Sequence, residues 1–427
     1  MGDGIRGGIE EKVEIRRAIL LGFQHVLAMF GATVTVPLVV GTAIGLGIEE
    51  IALMIQAVLL AMGIATLLQT TIGSRYPIVQ GSSFAFIPGL ISIGKSLGLA
   101  AVEGALIVGG IIEALIGGLG IVGRIKRLFS PVVTGITIML IGFSLAHVAI
   151  KYTFNYFADP SGQSISKAFL VALITFATTV YVALKAKGSL RVMPVIVGAF
   201  VGYSISLALG MADLSLVKEL PLFSIPKPLS WGAPVFDITA VITLLFAFMV
   251  SMIESVGDYH AISAISEAPI TNKNINRGIM SEGIACSIAG LLGTCGTTSY
   301  SENIGLVALT KVASRQVVQI GGLILILLSL IPKFSGILAS IPAPVLGGLT
   351  IALYGMISVT GLRLIKERVE LNDRNMLIIA SALIVGLGAP QLPPEFLEHF
   401  PKIIASILES GMAVGALTAI TLDQVLR

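Results

Sequence analysis

Charged residues are scarce in this chain of 427 residues, and that scarcity limits the class of protein. Asp, Glu, Lys and Arg together make up 12% of the sequence, whereas a soluble domain carries roughly 25%. Apolar residues make up 55%, and the mean hydropathy is +0.97. The composition excludes an ordinary soluble protein and predicts a multi-pass protein of the lipid bilayer.

Cysteine is also scarce, and no basic stripe is present. Cys286 and Cys295 lack the spacing of metal ligands, so we interpret both as reduced packing residues and expect neither a metal site nor a cofactor. The net charge of +3 comes from short basic clusters between apolar runs, which argues against a nucleic-acid partner. The start, MGDGIRGGIEEKVEIRR, is too charged for a cleaved signal peptide, so residues 1–17 are predicted to be a cytoplasmic segment.

Long apolar runs are abundant, and a helix needs about 20 such residues to cross a bilayer. We predict an all-α membrane protein with fourteen transmembrane segments. They lie near 18–40, 48–72, 82–97, 101–122, 131–150, 168–185, 192–211, 237–263, 278–294, 299–313, 316–338, 344–363, 375–389 and 403–422. The third and tenth segments are short and begin with small polar residues, which predicts half-helices. With this count, 20 of the 27 Lys and Arg fall on one side, which places both termini in the cytoplasm.

The sequence also repeats itself. PVVTGITIMLIG at 131–142 matches PVLGGLTIALYG at 344–355, and QGSSFAFIPG at 80–89 aligns with CGTTSYSENI at 295–304. Seven is half of fourteen and is odd, so the two copies are predicted to be inverted in the membrane. Inverted repeats with broken segments at matching positions are typical of secondary transporters with a site at the midplane. The alternative is an old duplication without a transport role.

A few acidic residues interrupt the apolar runs, and carboxylates at membrane depth are costly unless they have a task. Glu254 and Asp258 are one helical turn apart in the eighth segment, so they share a face. Two ionised carboxylates that close repel each other, so one is expected to carry a proton. The alternative for each is a buried structural network.

The third acid, Glu302, opens the tenth segment. The letters SYSE at 299–302 fit a capping box, which is the structural alternative to a ligand role. A half-helix start offers free N–H groups at the midplane, and Ser301 and Asn303 beside Glu302 are predicted substrate contacts. Phe84, in the matching segment of the first copy, stacks on a flat ring or belongs to the core. His25 in the first segment relays protons or braces the site.

These groups suit a planar lactam. Carboxylates accept hydrogen bonds from ring N–H groups, free backbone N–H groups donate to ring carbonyls, and an aromatic side chain covers the ring. A pyrimidine or a purine base fits that description, whereas a metal ion prefers more oxygen ligands. Glu254, Glu302 and His25 are the predicted proton-coupling residues. Proton coupling is preferred, with sodium as the alternative.

Three stretches, QHVLAMFGATVTVP, GSSFAFI and ESVGDY, and the signature E/Q-N-x-G-x-x-x-x-T-K/R are found together in this sequence. On these motifs the chain resembles the nucleobase–ascorbate transporter family, the uracil and xanthine permeases, from about residue 20 to residue 420. Glu302, Asn303, Gly305, Thr310 and Lys311 match that signature.

The resemblance implies two domains and a homodimer. A core domain, 18–122 and 237–338, carries substrate and moves against a gate domain, 123–236 and 339–427, which forms the dimer contact. Short antiparallel strands are implied in the third and tenth segments. By the same resemblance, Glu254 is the main substrate ligand, and Asp258, Glu302 and Phe84 line the site. His25 matches a first-span histidine.

Two markers of substrate choice disagree. Uracil-type members often have His where Asp258 stands, while xanthine-type members more often have Gln where Glu302 stands. GATVTVP, GSSFAFI and ENIG resemble uracil permeases, so we predict a proton-coupled uracil importer of the plasma membrane, with a xanthine or purine permease as the alternative. An anion transporter of similar fold is a remote alternative, since it predicts a cationic site at the half-helices, where Glu302 stands instead. A membrane enzyme or channel is another, since no catalytic set, metal signature or ion filter occurs.

Overall fold

Long helices joined by short turns run through the residues that the computed structural model describes, 8–126, 130–155, 162, 164–397 and 399–426. The helices of the first half are α1 (Ile15–Ile44), α2 (Ile48–Thr71), α3 (Ile87–Ser96), α4 (Leu99–Gly118), α5 (Val122–Lys126), α6 (Pro131–Ser144), α7 (Ala146–Thr153), α8 (Ile165–Lys185), α9 (Pro194–Ala208) and α10 (Ser215–Glu219). Those of the second half are α11 (Ile238–Ile265), α12 (Asn272–Leu291), α13 (Ser301–Thr310), α14 (Arg315–Ser329), α15 (Pro332–Ala339), α16 (Ala343–Arg368), α17 (Asp373–Gly388), α18 (Pro394–Leu397), α19 (Lys402–Glu409) and α20 (Gly411–Val425). Three short 3-10 helices, Phe84–Phe86, Gly188–Val192 and Ala389–Gln391, and two strands, β1 (Gln80–Ser82) and β2 (Thr297–Ser299), complete the order.

The predicted helical membrane protein is confirmed, while the count of fourteen spans stays a prediction. In the described part of the chain, 8 helices are long and apolar enough to cross a membrane, or up to 10 if each of two bent pairs is one span. A helix lies on each of the other four predicted segments. However, α3, α9 and α13 are short, and α12 begins with the polar run NKNINRG. Residues 1–7 of the predicted cytoplasmic segment, and the terminal Arg427, lie outside the described residues.

Two predicted spans are sharply bent. The segment 316–338 divides into α14 and α15, which meet at 85°, and the segment 403–422 divides into α19 and α20, which meet at 99°. Pro332 opens α15, and a proline has no backbone N–H to continue the preceding helix. Ser410 opens α20, where its hydroxyl accepts a hydrogen bond from the backbone nitrogen of Ala413 at 3.3 Å.

The helices pack in two groups. In the first, α4 lies on α12 and α11, and α2 lies on α14, α15 and α1. In the second, α16 lies on α6, α7 and α8, while α17 packs on α20 and α6. Contacts between the groups are fewer and include α1 with α9, and α11 with α6 and α19.

The closest crossing in the first group depends on two glycines. A Cβ atom on Gly283 of α12 would lie 2.5 Å from the carbonyl oxygen of Gly110 in α4, far inside ordinary contact. Small residues let helix backbones approach this closely in membranes, where apolar side chains gain little from leaving lipid. The side chains that flank this crossing are therefore held close together.

The strand pair joins the segments that lead into two half-helices. β1 pairs antiparallel with β2, with Gln80 opposite Ser299 and Ser82 opposite Thr297. The strand pair that the family resemblance implies is therefore present. Each strand leads into a helix start, the 3-10 helix before α3 in one case and α13 in the other.

Candidate functional site

A cavity of about 390 Å³ lies between the two helix groups, where both strand ends meet α11. Its walls come from the β1–α3 connection, α6, α11, the β2–α13 connection and α16. The lining residues with polar side chains are Ser82, Ser83, Thr134, Glu254, Asp258, Thr298, Ser299, Tyr300, Ser301, Glu302 and Thr360. Its volume falls within the range of roughly 300–1,000 Å³ that is usual for small-molecule sites.

Helix α11 supplies two carboxylates to this cavity. Asp237 starts the helix, because its Oδ1 atom accepts hydrogen bonds from the backbone nitrogens of Thr239 and Ala240 at 2.8 and 3.0 Å. About five turns later the helix presents Glu254 and then Asp258 on the face that borders the cavity. The shared face predicted from their spacing is confirmed.

The two carboxylates have different surroundings. Asp258 is 6% exposed and accepts hydrogen bonds from the hydroxyls of Ser299 at 2.9 Å and Ser301 at 2.6 Å. Glu254 is half-buried, and no hydrogen bond to its carboxylate forms among the described residues. Glu254 is thus the acceptor that remains free for a ligand, while Asp258 is already tied to the β2–α13 connection.

The start of α13 brings Glu302 to the same cavity. Glu302 lies in the first turn and is exposed to the cavity, as is Ser301. The first turn of a helix has free backbone N–H groups and the positive end of the helix dipole. Phe84, at the start of the matching 3-10 helix, is half-buried, lines the cavity and packs edge-on against Tyr354, with ring centroids 6.1 Å apart.

The capping box at residues 299–302, the structural alternative to a ligand role for Glu302, does not form. The residue before α13 is Tyr300, and no side chain caps the helix start. Ser299 belongs to β2, and its hydroxyl bonds to Asp258 and to the Ser255 hydroxyl, at 2.9 Å in each case. Long-range partners on α11 therefore outcompete the local cap.

Asn303 and His25 lie together, behind the cavity wall. Both are buried, at 1% and 2% exposure, and neither belongs to the lining residues. The Asn303 amide donates to the carbonyl oxygen of His25 at 2.9 Å and lies 3.1 Å from its Nδ1 atom. In this arrangement the pair ties α13 to α1, so the structure brings five of the seven predicted site residues to the cavity and places these two behind it.

Two acidic residues that the sequence argument overlooked adjoin the site. Glu282 of α12 is 1% exposed and accepts hydrogen bonds from Ser251, Ser255 and Tyr259 of α11 at 2.9, 2.6 and 3.3 Å. Glu113 of α4 is also 1% exposed. The signal for both is the one that identified Glu254, an acid inside an apolar helix.

No group of three or more His, Cys, Asp and Glu that could hold a metal ion occurs among the described residues. The cavity instead has one polar wall, which carries the carboxylates and the start of α13. The other wall, from α6 and α16, is largely apolar and includes Ile138, Ile141, Leu353 and Ile357. Such a cavity can bind a flat molecule that has N–H and carbonyl groups on its edges.

Comparisons with known proteins define the class. The model of one protein family, described as "Permease family", matches residues 16–395. The uric acid permease PucJ of Bacillus subtilis is 36% identical over 417 residues, which cover 95% of this chain and 92% of that protein. A putative purine permease of Clostridium perfringens is 34% identical, covering 98% and 92% of the two chains. The xanthine permease XanP of Escherichia coli is 31% identical, covering 97% and 93%.

These matches are to multi-pass membrane permeases, which move solutes and are not enzymes. The chain belongs to the nucleobase–ascorbate transporter family, as its signature motif indicates. The fold has a wider distribution. The transmembrane domain of the cyanobacterial bicarbonate transporter BicA superposes with a TM-score of 0.67 at 16% identity, covering 96% of this chain and 99% of that one. The murine anion transporter Slc26a9 gives a TM-score of 0.64 at 13% identity, covering 98% and 69%.

Proposed function

We propose that the chain imports an oxopurine such as xanthine or uric acid, in symport with protons. The observation that carries the proposal is the convergence of Glu254, Asp258 and Glu302 on one cavity beside the free N–H groups of a helix start. Carboxylates accept from ring N–H groups, and the backbone N–H groups donate to ring carbonyls. The Phe84 ring covers one face of the bound base.

The similar proteins favour an oxopurine over the pyrimidine predicted from the sequence. Those compared above are named for uric acid, purine and xanthine. Asp258 agrees with this choice, because uracil-type members often have His there. Uracil remains the second candidate, favoured by the stretches GATVTVP, GSSFAFI and ENIG.

Proton symport follows from the number of buried acids. Carboxylates at membrane depth in a cavity are carriers of protons, because each can be neutral in one state and ionised in another. We propose Glu254 and Glu302 for this role, since both face the cavity. We propose an indirect role in coupling for His25, because its Nδ1 atom lies 3.1 Å from the amide of Asn303, the residue next to Glu302.

We further propose fourteen spans in two inverted repeats, with a core domain (18–122 and 237–338) that moves against a gate domain (123–236 and 339–427). The two helix groups of the fold support this division. The protein is expected in the plasma membrane as a homodimer through the gate domain, with both termini in the cytoplasm.

The cavity supports an inward-facing state. It reaches Thr360 and Leu364 near the end of α16, which the predicted topology places toward the cytoplasm. At the opposite end, two hydrogen bonds close the gap between the groups. The Ser92 hydroxyl donates to Glu409 at 3.1 Å, and the hydroxyls of Thr243 and Ser406 lie 2.5 Å apart. Opening this outer contact while closing the inner end would complete alternating access.

Uptake into proteoliposomes tests the proposal. Labelled xanthine, uric acid and uracil are supplied in turn, with a pH gradient alone and then with a sodium gradient at fixed pH. We expect accumulation of xanthine or uric acid driven by the pH gradient, and its loss in Glu254→Gln. Glu370→Gln, in an exposed loop after α16, serves as the control and should transport normally. Accumulation of uracil alone would favour the second candidate, and accumulation driven by sodium alone would refute proton symport.

A further inference from the structure

A continuous chain of hydrogen bonds leads away from the cavity. It starts at Asp258, whose Oδ2 atom lies 2.9 Å from the Ser299 hydroxyl. Ser299 lies 2.9 Å from the Ser255 hydroxyl, and Ser255 lies 2.6 Å from Oε2 of Glu282. Each serine hydroxyl can donate one proton and accept another, so the chain can conduct a proton between the two carboxyl groups.

The hydroxyl of Ser299 has two possible acceptors and only one proton. It donates either to Asp258 or to Ser255. When Asp258 is ionised, the charge attracts the Ser299 proton. When Asp258 is protonated, Ser299 is free to turn toward Ser255, and all donors then point from the cavity toward Glu282.

At the far end, Glu282 is surrounded by donors. Ser251, Ser255 and Tyr259 give it three hydrogen bonds, and the Tyr259 hydroxyl is itself held by the Gln69 amide at 2.6 Å. Hydrogen bonds to a carboxylate stabilise its charged form. These donors favour the charged form of Glu282 and oppose the cost of its burial at 1% exposure.

The surroundings of Glu113 are the opposite of those of Glu282, because the described residues offer its carboxyl group no donors. It is 1% exposed, and neither of its carboxyl oxygens has a hydrogen-bond partner among the described residues. It lies within electrostatic reach of Glu282 and beside the Cys286 thiol, next to the crossing of Gly110 and Gly283. A buried carboxylate with no partner costs several kcal/mol, and a second negative charge nearby adds to the cost.

Glu113 and Glu282 have no positively charged partner among the described residues. In the part of the chain that the structure describes, no Lys, Arg or His forms an ion pair with Glu113 or Glu282. The titratable groups around the two acids are Glu254, Asp258 and Tyr259 of α11 and Cys286 of α12 itself. All of these are neutral or negative, so none of the described groups compensates a second carboxylate here, and a proton on one of the two acids would remove the repulsion.

We propose that Glu113 and Glu282 form a two-carboxyl proton site that exchanges protons with the substrate cavity through Ser255, Ser299 and Asp258. This inference deepens the proposed function and rests on it. In the transfer, the Asp258 carboxyl loses its proton to Ser299, Ser299 passes its own hydroxyl proton to Ser255, and Ser255 passes its proton to Glu282. Asp258 is left ionised, and the carboxyl pair gains one proton.

The site links the proton to substrate through α11. That helix carries Asp258 and Glu254 toward the cavity, and Ser251, Ser255 and Tyr259 toward Glu282. A displacement of α11 when substrate binds would change the donors around Glu282 and therefore its affinity for a proton. Proton binding would in turn change the affinity for substrate by the same factor.

Two variants and one matched control test the proposal. Glu113→Gln keeps the shape of the side chain but removes its titration, and Ser255→Ala breaks the chain of hydroxyls. Ser206→Ala removes an equally buried hydroxyl whose hydrogen bond stays within α9. Each protein is reconstituted, and its fold is checked by thermal unfolding with and without substrate. If Glu113→Gln fails to fold, Glu113→Leu takes its place, because an apolar side chain of similar size leaves no buried polar group unpaired.

Gradient-driven accumulation is compared with substrate exchange at equal pH, which needs no net proton movement. We expect accumulation to fall about tenfold in Glu113→Gln and Ser255→Ala, within the usual range of coupling effects. Exchange should remain within about twofold of the unsubstituted protein. Ser206→Ala should retain both activities. With Glu113→Leu, reduced accumulation with intact exchange supports the proposal, and unchanged accumulation overturns it.

Infrared difference spectra give an independent readout. We expect the carbonyl band of a protonated carboxylic acid in the unsubstituted protein and its loss in Glu113→Gln. Normal accumulation in both variants would overturn the relay while leaving the proposed function intact. Loss of exchange together with accumulation would show a structural role instead. Absence of pH-driven uptake in the unsubstituted protein would refute proton symport itself, and this inference with it.

Discussion

Replacing Gly81 with alanine should weaken substrate binding without unfolding the protein. Gly81 pairs with Thr298 in the strand pair, and an added Cβ atom would lie 2.5 Å from Cζ of Tyr300, with Cε2 closer still. Ordinary contact begins near 3.4 Å. The ring must therefore move by at least about 0.9 Å, and overpacking of this kind costs about 1–3 kcal/mol.

The displacement reaches the site because of what adjoins the ring. Tyr300 is 4% exposed, and its hydroxyl donates to the carbonyl oxygen of Ser82 at 2.8 Å, so it has little room to yield. Its chain neighbours Ser299 and Ser301 are the two donors to Asp258. Loss of one hydrogen bond to a charged group costs about 1.5–3 kcal/mol, which corresponds to roughly 10- to 150-fold in affinity.

Calorimetric titration of the purified protein with xanthine and uracil measures this effect, and thermal unfolding measures stability. Gly388→Ala is the matched control, because a Cβ atom there meets nothing within 4 Å. We expect normal binding by Gly388→Ala and weakening of at least about tenfold by Gly81→Ala. If the affinity of Gly81→Ala for its substrate stays within about twofold of that of the unsubstituted protein, the strand pair does not position the serine hydroxyls that donate to Asp258.

Three further predictions concern single side chains. Glu254→Gln should lower affinity by roughly 10- to 150-fold, because it places an N–H donor opposite a ring N–H; near-normal calorimetric binding would contradict the assignment. Glu302→Gln should shift preference from uracil toward xanthine, since an amide donates as well as accepts, whereas Asp258→His should shift it toward uracil. Competition assays measure both, and unchanged ratios in both variants would make these positions structural. Ser92→Ala should weaken the outer closure by about 0.5–1.5 kcal/mol and raise the outside accessibility of a cysteine placed at Ala405, which is half-buried beside Ser406 and leaves Glu409 in place; unchanged labelling rates would argue against an outer gate.

The sequence located features that depend on near neighbours along the chain. Glu254 and Asp258 share a face because helical geometry alone puts residues four apart together. The apolar segments became helices for the same local reason. Where a bend occurs, Pro332 was a visible signal inside the segment 316–338, but hydropathy averages over it.

Features that depend on partners far away in the chain could not be predicted from the sequence. Ser299 fits a local cap by its spacing, yet its hydroxyl finds Asp258 and Ser255, because β2 is fixed by β1 and laid against α11. Glu113 and Glu282 come within electrostatic reach of each other because glycines such as Gly110 and Gly283 let α4 and α12 cross closely. A pattern along one helix contains no information on which acid of another helix will face it.

The strand pair also constrains the order of events during synthesis and membrane insertion, because β1 cannot pair until β2 has been made. Ser82 pairs with Thr297, 215 residues later in the chain, and a ribosome needs roughly 10–40 s to make that length. During this time α3, with 10 residues, is about 15 Å long and half the thickness of a bilayer. An unpaired strand edge is not tolerated in lipid. We therefore expect the β1–α3 segment to wait in the insertion machinery, or against its neighbours, until β2 emerges.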